Sequence, residues 1–273
     1  CFLLFVFISV FWAKDKNLAF YWALRICQGI ILFFLIQKIN FNFIKAGFSL
    51  IFAGLIQVFL SLYQFITQKV FASKWLGIAA QDPTQLGVSV VETSGGRLLR
   101  VYGSFSHPNI LAGFLVFLIL FSFILYLLVK KSWLKYFFLF STSLLTMILF
   151  LTFSRSSWLG LMISIIFMAG FIFNKKRYFN LKEPFLKFFG LVLIIFLIFN
   201  AFYFDQIIER FRTKQRVEFR SVNERILNFQ RSKEILKENF LLGVGIGNYT
   251  LTLYQKYPNL SSWNYQPVAN IYL

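Results

Sequence analysis

Apolar runs of membrane length, separated by polar connectors, set the pattern of this chain. Residues 1–12 read as the tail of a hydrophobic helix closed by the polar AKDKN at 13–17. Apolar runs follow at 18–37, 46–66, about 108–129, 134–153, 157–173 and 186–204, and a last apolar start lies at 267–273. About 20 apolar residues in helical form cross the hydrocarbon core of a bilayer. The pattern therefore predicts seven spans, the first incomplete, plus the beginning of another. Two polar stretches are longer than connectors. Residues 67–107, with Asp82, Pro83, Glu92 and the Gly95–Gly96 pair, read as a loop. Residues 205–266 are the one place for a sizeable extramembrane structure. The fold class is all-α: a polytopic transmembrane helical bundle with one long extracytoplasmic helical loop. It divides into N-terminal transmembrane helices at 1–66 and a core domain at 67–273.

Composition supports this and removes alternatives. The 273 residues are 58% hydrophobic and 21% aromatic, far too apolar for a soluble domain of this length. The formal charge of +18 raises the question of nucleic acid, but the lysines fall mostly in short connectors, where retention on the cytoplasmic side accounts for them. Lys130, Lys131 and Lys135 occupy one connector, and Lys175, Lys176, Arg177, Lys182 and Lys187 lie in and beside another. Both are expected to be cytoplasmic. Alternation then puts 13–17, 67–107, 154–156 and 205–266 outside and 38–45 inside. Cys1 and Cys27 have no metal-ligand spacing and read as packing residues. The chain opens inside one apolar run and stops in another, so it reads as a fragment.

Candidate chemistry gathers where outward loops become helices. In GRLLRVYGSFSHPNILAG, residues 96–113, Arg97 and Arg100 precede a helix expected to start near Pro108, since proline suits a first turn whose N–H groups have no helical partner. Basic side chains beside a helix N-terminus form a site for a phosphate; contact with lipid headgroups is the competing reading. LTFSRSSWLG puts Arg155 at the next outward turn, with Ser156 expected to cap the following helix. Ser221 and Glu224 have the spacing of a capping box, which predicts a helix from Val222 with Arg225 in its first turn and Ile226, Phe229, Leu236 and Phe240 on one face. In the LLGVGIGNY that follows, Gly243, Gly245 and Gly247 suggest a tight turn rather than a dinucleotide site, because no βαβ unit surrounds them.

Taken together, WAKDKNLAFYWALR, RVYGSFSHPNILAGF, LTFSRSSWLG, NERILNFQRSKEILKENFLLGVGIGNY and PVANIYL resemble the bacterial O-antigen ligase and O-antigen polymerase superfamily of membrane glycosyltransferases. The resemblance implies transfer or polymerisation of a glycan from an undecaprenyl-diphosphate carrier onto an acceptor hydroxyl at the outer face of the bacterial cytoplasmic membrane. It implies no metal and no cofactor. The expected partners are that donor, a glycan, lipid or protein acceptor, and membrane lipid, without nucleic acid. It also implies that Arg100 and Arg225 lie against the diphosphate. Guanidinium stays ionised and binds phosphate oxygens in a fork, so it suits a leaving group that gains charge.

The family usually has a histidine before the asparagine of its last helix, as a base for the acceptor hydroxyl, and here Ala269 precedes Asn270. Phe229 stands where the family commonly has tryptophan. The single histidine, His107, sits at a different helix start and reads as a cap or headgroup contact. The catalytic positions are therefore Arg100, Arg225 and Ala269; the substrate-binding candidates are Arg97, Arg155, His107, Asn109, Gly245, Asn248 and Asn270. The competing functions are a transporter or flippase for an anionic lipid or solute, and a non-catalytic relative that only binds lipid-linked glycan.

Overall fold

A computed structural model describes residues 2–39, 42–85, 87–93, 96–211, 216–261 and 264–265. In chain order the helices are α1 (Phe2–Ile8), α2 (Lys16–Lys38), α3 (Phe43–Thr67), α4 (Pro108–Leu128), α5 (Ser132–Leu151), α6 (Arg155–Asn174), α7 (Lys182–Phe202), α8 (Phe204–Phe211), α9 (Arg216–Glu238) and α10 (Tyr249–Lys256). A short hairpin, β1 (Val90–Thr93) with β2 (Gly96–Leu99), lies between α3 and α4. Among the described residues, six helices, α2 to α7, are long and apolar enough to cross a membrane. The chain is thus an all-α, multi-pass membrane protein. The run at 1–12 contributes only the seven residues of α1, and the apolar start at 267–273 lies outside the described residues.

Two compact units form, one from residues 1–41 with 216–273 and the other from 42–215. The boundary read from sequence at 66/67 falls inside the second unit.

In the second unit α3, α4, α5 and α7 enclose an aromatic core. Phe123 of α4 meets Phe188 and Phe189 of α7 at centroid distances of 5.2 and 5.0 Å, and Phe150 of α5 meets Phe199 of α7 at 5.3 Å. The chain's phenylalanines here bind helix to helix, with outward ones such as Phe167 left for lipid. On α3 the buried positions are Gly47, Ile51, Gly54, Val58, Ser61 and Gln64, a heptad-like stripe. A Cβ at Gly54 would sit 2.4 Å from Leu118 Cδ1 and one at Gly47 2.5 Å from Leu125 Cδ2. Glycine is needed there for the close helix approach that substitutes for a hydrophobic driving force in lipid.

The connectors between α4 and α5, α5 and α6, and α6 and α7 are short, so successive helices alternate in direction. Lys130, Lys131, Lys175 and Lys176 consequently share one end of this unit, and the Thr152–Ser154 turn lies at the other.

The stretch read as a loop at 67–107 is more ordered than that. The hairpin pairs Glu92 with Arg97 and Val90 with Leu99. Val70, Ile78, Val88, Val90, Leu99 and Tyr102 form a small core of their own. The reason is visible in VSVVET and RLLRVY, two β-branched or apolar runs on either side of a glycine pair.

In the first unit, α9 begins at Arg216, so the capping box at Ser221 and Glu224 does not start the helix and Arg225 is not in its first turn. Ser232 and Ile235 are buried, whereas Ile226, Phe229, Leu236 and Phe240 are exposed. Polar fastenings at exposed carboxylates join α9 to α10. Lys256 Nζ donates to Glu238 Oε1 at 2.7 Å, and the Tyr257 hydroxyl donates to Glu234. The Tyr257 hydrogen bond, with Lys256 nearby, holds the Glu234 carboxyl below its usual range. That fastening is therefore complete above the ordinary carboxylate pKa and is lost as pH falls through the lowered one.

Candidate functional site

The outward-loop arginine nominated first, Arg100, is almost fully buried at 3% exposure in the second unit. Its Nε donates to the Thr152 carbonyl at 2.7 Å and its Nη2 to Asn109 Oδ1 at 2.6 Å. Its backbone N–H donates to the Ser89 carbonyl at 3.2 Å. One residue thereby ties together the hairpin loop, through its backbone, and the start of α4 and the end of α5, through its side chain. Thr152 is the C-cap of α5, so its carbonyl is one of the acceptors that a helix end leaves unpaired, and a cation there also meets the negative end of the helix dipole. This is how a guanidinium can be buried at a membrane boundary without prohibitive cost. The sequence argument had this arginine facing the N–H end of α4. Its seen contacts are instead the carbonyl end of α5 and the amide oxygen of Asn109.

The α4 start is as expected at Pro108, with His107 as its N-cap. The Asn109 backbone N–H donates to His107 Nδ1 at 3.1 Å, and Nε2 lies 3.1 Å from Ser89 Oγ. An accepting Nδ1 fixes the neutral tautomer as Nε2–H, which then donates to Ser89. His107 therefore caps. Arg100, His107 and Asn109 are brought together with Ser89 and Thr152, two residues the sequence did not nominate. Arg97 lies apart on β2, its Nε 3.9 Å from Glu92 Oε1, a long and partly exposed pairing.

Arg155 is the first residue of α6 and partly exposed. The cap position before it is Ser154, not Ser156. The intervening turn runs through Phe153 at φ 49°, a left-handed conformation unusual for a bulky residue. The completely buried Phe153 ring is held between Phe199 and Tyr203, at 5.6 and 6.1 Å. This packing stabilises the strained turn whose Thr152 carbonyl receives Arg100.

What positions the Arg100 loop is a polar stripe on α3 and its cap. Gln64, wholly buried, accepts from the backbone N–H groups of Tyr102 and Gly103, both at 2.9 Å, and donates to the Gly103 carbonyl at 2.7 Å. Gln57 accepts from Ser104 N–H at 2.8 Å and Gln68 from Leu99 N–H at 2.7 Å. The signal was present in the sequence: Gln57, Ser61, Gln64 and Gln68 recur at helical spacing along one face of an apolar run. Polar groups there need partners, and an extended loop backbone supplies them.

Gln64→Leu keeps the volume while leaving two N–H groups and one carbonyl without this partner, each at about 1–3 kcal/mol. A destabilisation of about 3 kcal/mol or more is expected, read as a lowered thermal midpoint in detergent. An unchanged midpoint would mean that the loop is held by other contacts.

In the first unit the glycine-rich run is a clamp. Gly243, Gly245 and Gly247 all have positive φ, at 69°, 82° and 74°. A Cβ at Gly245 would meet Ala13 Cβ at 2.6 Å and one at Gly247 would meet Trp22 Cδ1 at 2.2 Å. Asn248 is fully buried. Its Oδ1 accepts from Asp15 N–H at 2.7 Å, and its Nδ2 donates to the carbonyls of Asp15 and Ile246 at 3.1 and 3.0 Å. Asp15 in turn caps α2 through Leu18 N–H at 2.9 Å. Gly245 and Asn248, nominated for substrate, are thus engaged in seating the 13–17 connector. Arg225 is exposed on α9 in this unit. Ala269 and Asn270 lie outside the described residues.

An O-antigen ligase family model matches residues 140–273. Over that stretch the chain is O-antigen ligase-like. This assignment carries a role in cell-surface polysaccharide assembly. Comparison with curated proteins and with solved structures found no match. Arg155, Arg225, Gly245, Asn248, Ala269 and Asn270 fall within the O-antigen ligase match; Arg97, Arg100, His107 and Asn109 precede it. The hydrogen bond from Arg100 to Thr152 reaches from the unmatched part into the matched part.

Proposed function

We propose that the chain transfers a glycan from a polyprenyl-diphosphate carrier, undecaprenyl in kind, to an acceptor hydroxyl at the outer face of the cytoplasmic membrane. The observation that carries this reading is the placement of Arg100, buried, oriented from two sides and anchored beside the turn that leads into Arg155, in a chain of the O-antigen ligase type.

In this reaction the acceptor oxygen attacks the anomeric carbon. The bond from that carbon to the diphosphate oxygen breaks, the electron pair leaves with the diphosphate, and the acceptor proton passes to a base or to water. Negative charge grows on the leaving oxygen, so preorganised guanidinium groups stabilise the transition state more than the ground state. Arg100 and Arg155 share the loop end of the second unit and are the residues assigned to that task there. Arg225 is assigned the same chemistry on the resemblance of its segment, with Arg97 and Asn270 as further contacts. The lysine-rich end of the second unit is assigned to the cytoplasm, since retained positive charge marks that side. His107 and Asn109 shape the Arg100 setting, through the cap and the amide oxygen.

The test is reconstitution of the chain in vesicles with a labelled polyprenyl-diphosphate glycan and an acceptor mixture. Transfer should release polyprenyl diphosphate in step with labelled acceptor. Movement of intact donor across the bilayer without cleavage would replace the transferase by the transporter reading.

A further inference from the structure

An apolar turn in the first unit has no counterpart in the chemistry described so far. Between α9 and the glycine clamp, Phe240, Leu241 and Leu242 stand 77%, 88% and 54% exposed, and Phe11 is 78% exposed in the α1–α2 connector. Trp12 Nε1 donates to the Leu242 carbonyl at 3.0 Å. Trp12, Lys14, Lys237 and the Phe240–Leu242 turn line one open cleft of about 470 Å³.

We propose that this surface docks into the bilayer at the N-terminal end of α2, with the Phe240–Leu242 turn among the headgroups and upper acyl chains and Lys14 and Lys237 against anionic lipid phosphates. Three arguments select lipid as the occupant. The first is continuity. Trp12 and the Asn248–Asp15 clamp fix the turn to the first residues of a membrane-crossing helix, so the turn lies at the level where α2 leaves the hydrocarbon. The second is composition. Three consecutive large apolar side chains facing water are unfavourable, whereas aromatic and aliphatic residues at a membrane boundary are stabilised there. The third is charge. Lys14 and Lys237 line the same cleft as the apolar turn, and Glu238, which also lines it, is paired with Lys256, so the arrangement suits an amphiphile with an anionic head. Lys14 is steadied by Gln255, to which its Nζ donates at 2.7 Å.

The experiment uses the full chain in vesicles, with Cys1 and Cys27 replaced by serine and one cysteine carrying an environment-sensitive fluorophore. Leu241→Cys is the probe and Asn259→Cys, exposed in the same unit, the aqueous reference. At 241 the emission should be blue-shifted, quenched by lipid bearing a shallow doxyl group and protected from iodide. At 259 iodide should quench. Iodide quenching at 241 equal to that at 259 would overturn the docking. Adding phosphatidylglycerol to phosphatidylcholine vesicles should increase doxyl quenching at 241, and Lys14→Gln with Lys237→Gln should abolish the increase. Equal quenching in both lipids with the lysines intact would overturn the headgroup contact.

Discussion

Arg100→Lys should lose transferase activity by about 10- to 150-fold while the protein still inserts into the membrane. The substitution keeps the charge but not the fork. The guanidinium spans the Thr152 carbonyl and Asn109 Oδ1 with separate nitrogens, and a single ammonium on a flexible stem does not hold both acceptors in that geometry. One charge-assisted hydrogen bond, worth about 1.5–3 kcal/mol, is given up. On the proposed mechanism the same change replaces a bidentate phosphate donor by a point charge. The measurement is kcat/KM for glycan transfer beside the thermal midpoint of each variant. Arg100→Leu sharpens the distinction, because it removes the cation and leaves both acceptors unpaired. A stability loss of about 2 kcal/mol or more is expected there, since each buried acceptor left without a donor costs about 1–3 kcal/mol. Full activity in Arg100→Lys would remove Arg100 from the chemistry and leave it as a bracket between helices.

Ala269→His should raise turnover by about 10²–10⁴-fold with little change in donor affinity, the contribution typical of a placed general base. The position is set by the resemblance around PVANIYL, where the family usually carries histidine and this chain carries alanine. The gain should follow a pH profile inflecting near the imidazole pKa of about 6.5. Donor binding depends on the arginines and should not follow that profile. An Ala269 protein already at full speed, unaltered by histidine, would show that water or another group takes the acceptor proton. Tyr272 is one such neighbour in sequence, although a phenol is a weak base at neutral pH.

Spans and their order were legible in the sequence because hydropathy over some 20 residues is a strong signal. The expected runs at 108–129 and 134–153 became Pro108–Leu128 and Ser132–Leu151. Pro108 and His107 behaved as local chemistry dictates. Features that depend on a distant partner were not legible. Arg100 was recognised as unusual, but its acceptor at Thr152 is 52 positions away. The glutamine stripe on α3 was visible as a pattern, yet its meaning needed the loop backbone it binds. The capping box at Ser221 failed because a short local motif does not decide a helix start when the preceding residues are themselves helical. Gly245 and Asn248, substrate candidates in the sequence, are also positions where another backbone segment approaches closely, which no local pattern announces.

That last contact bears on how the molecule is made. Asn248 grips Asp15 across 233 positions of sequence, whereas residues 42–215 close on themselves as a continuous stretch. During synthesis the contiguous unit can complete its contacts while the later residues are still to come. The α1–α2 connector must wait, with the Asp15 amide and carbonyl hydrated, until the glycine clamp has been translated. Contacts of such separation are entropically late in folding. A later segment thus completes the seating of an earlier one.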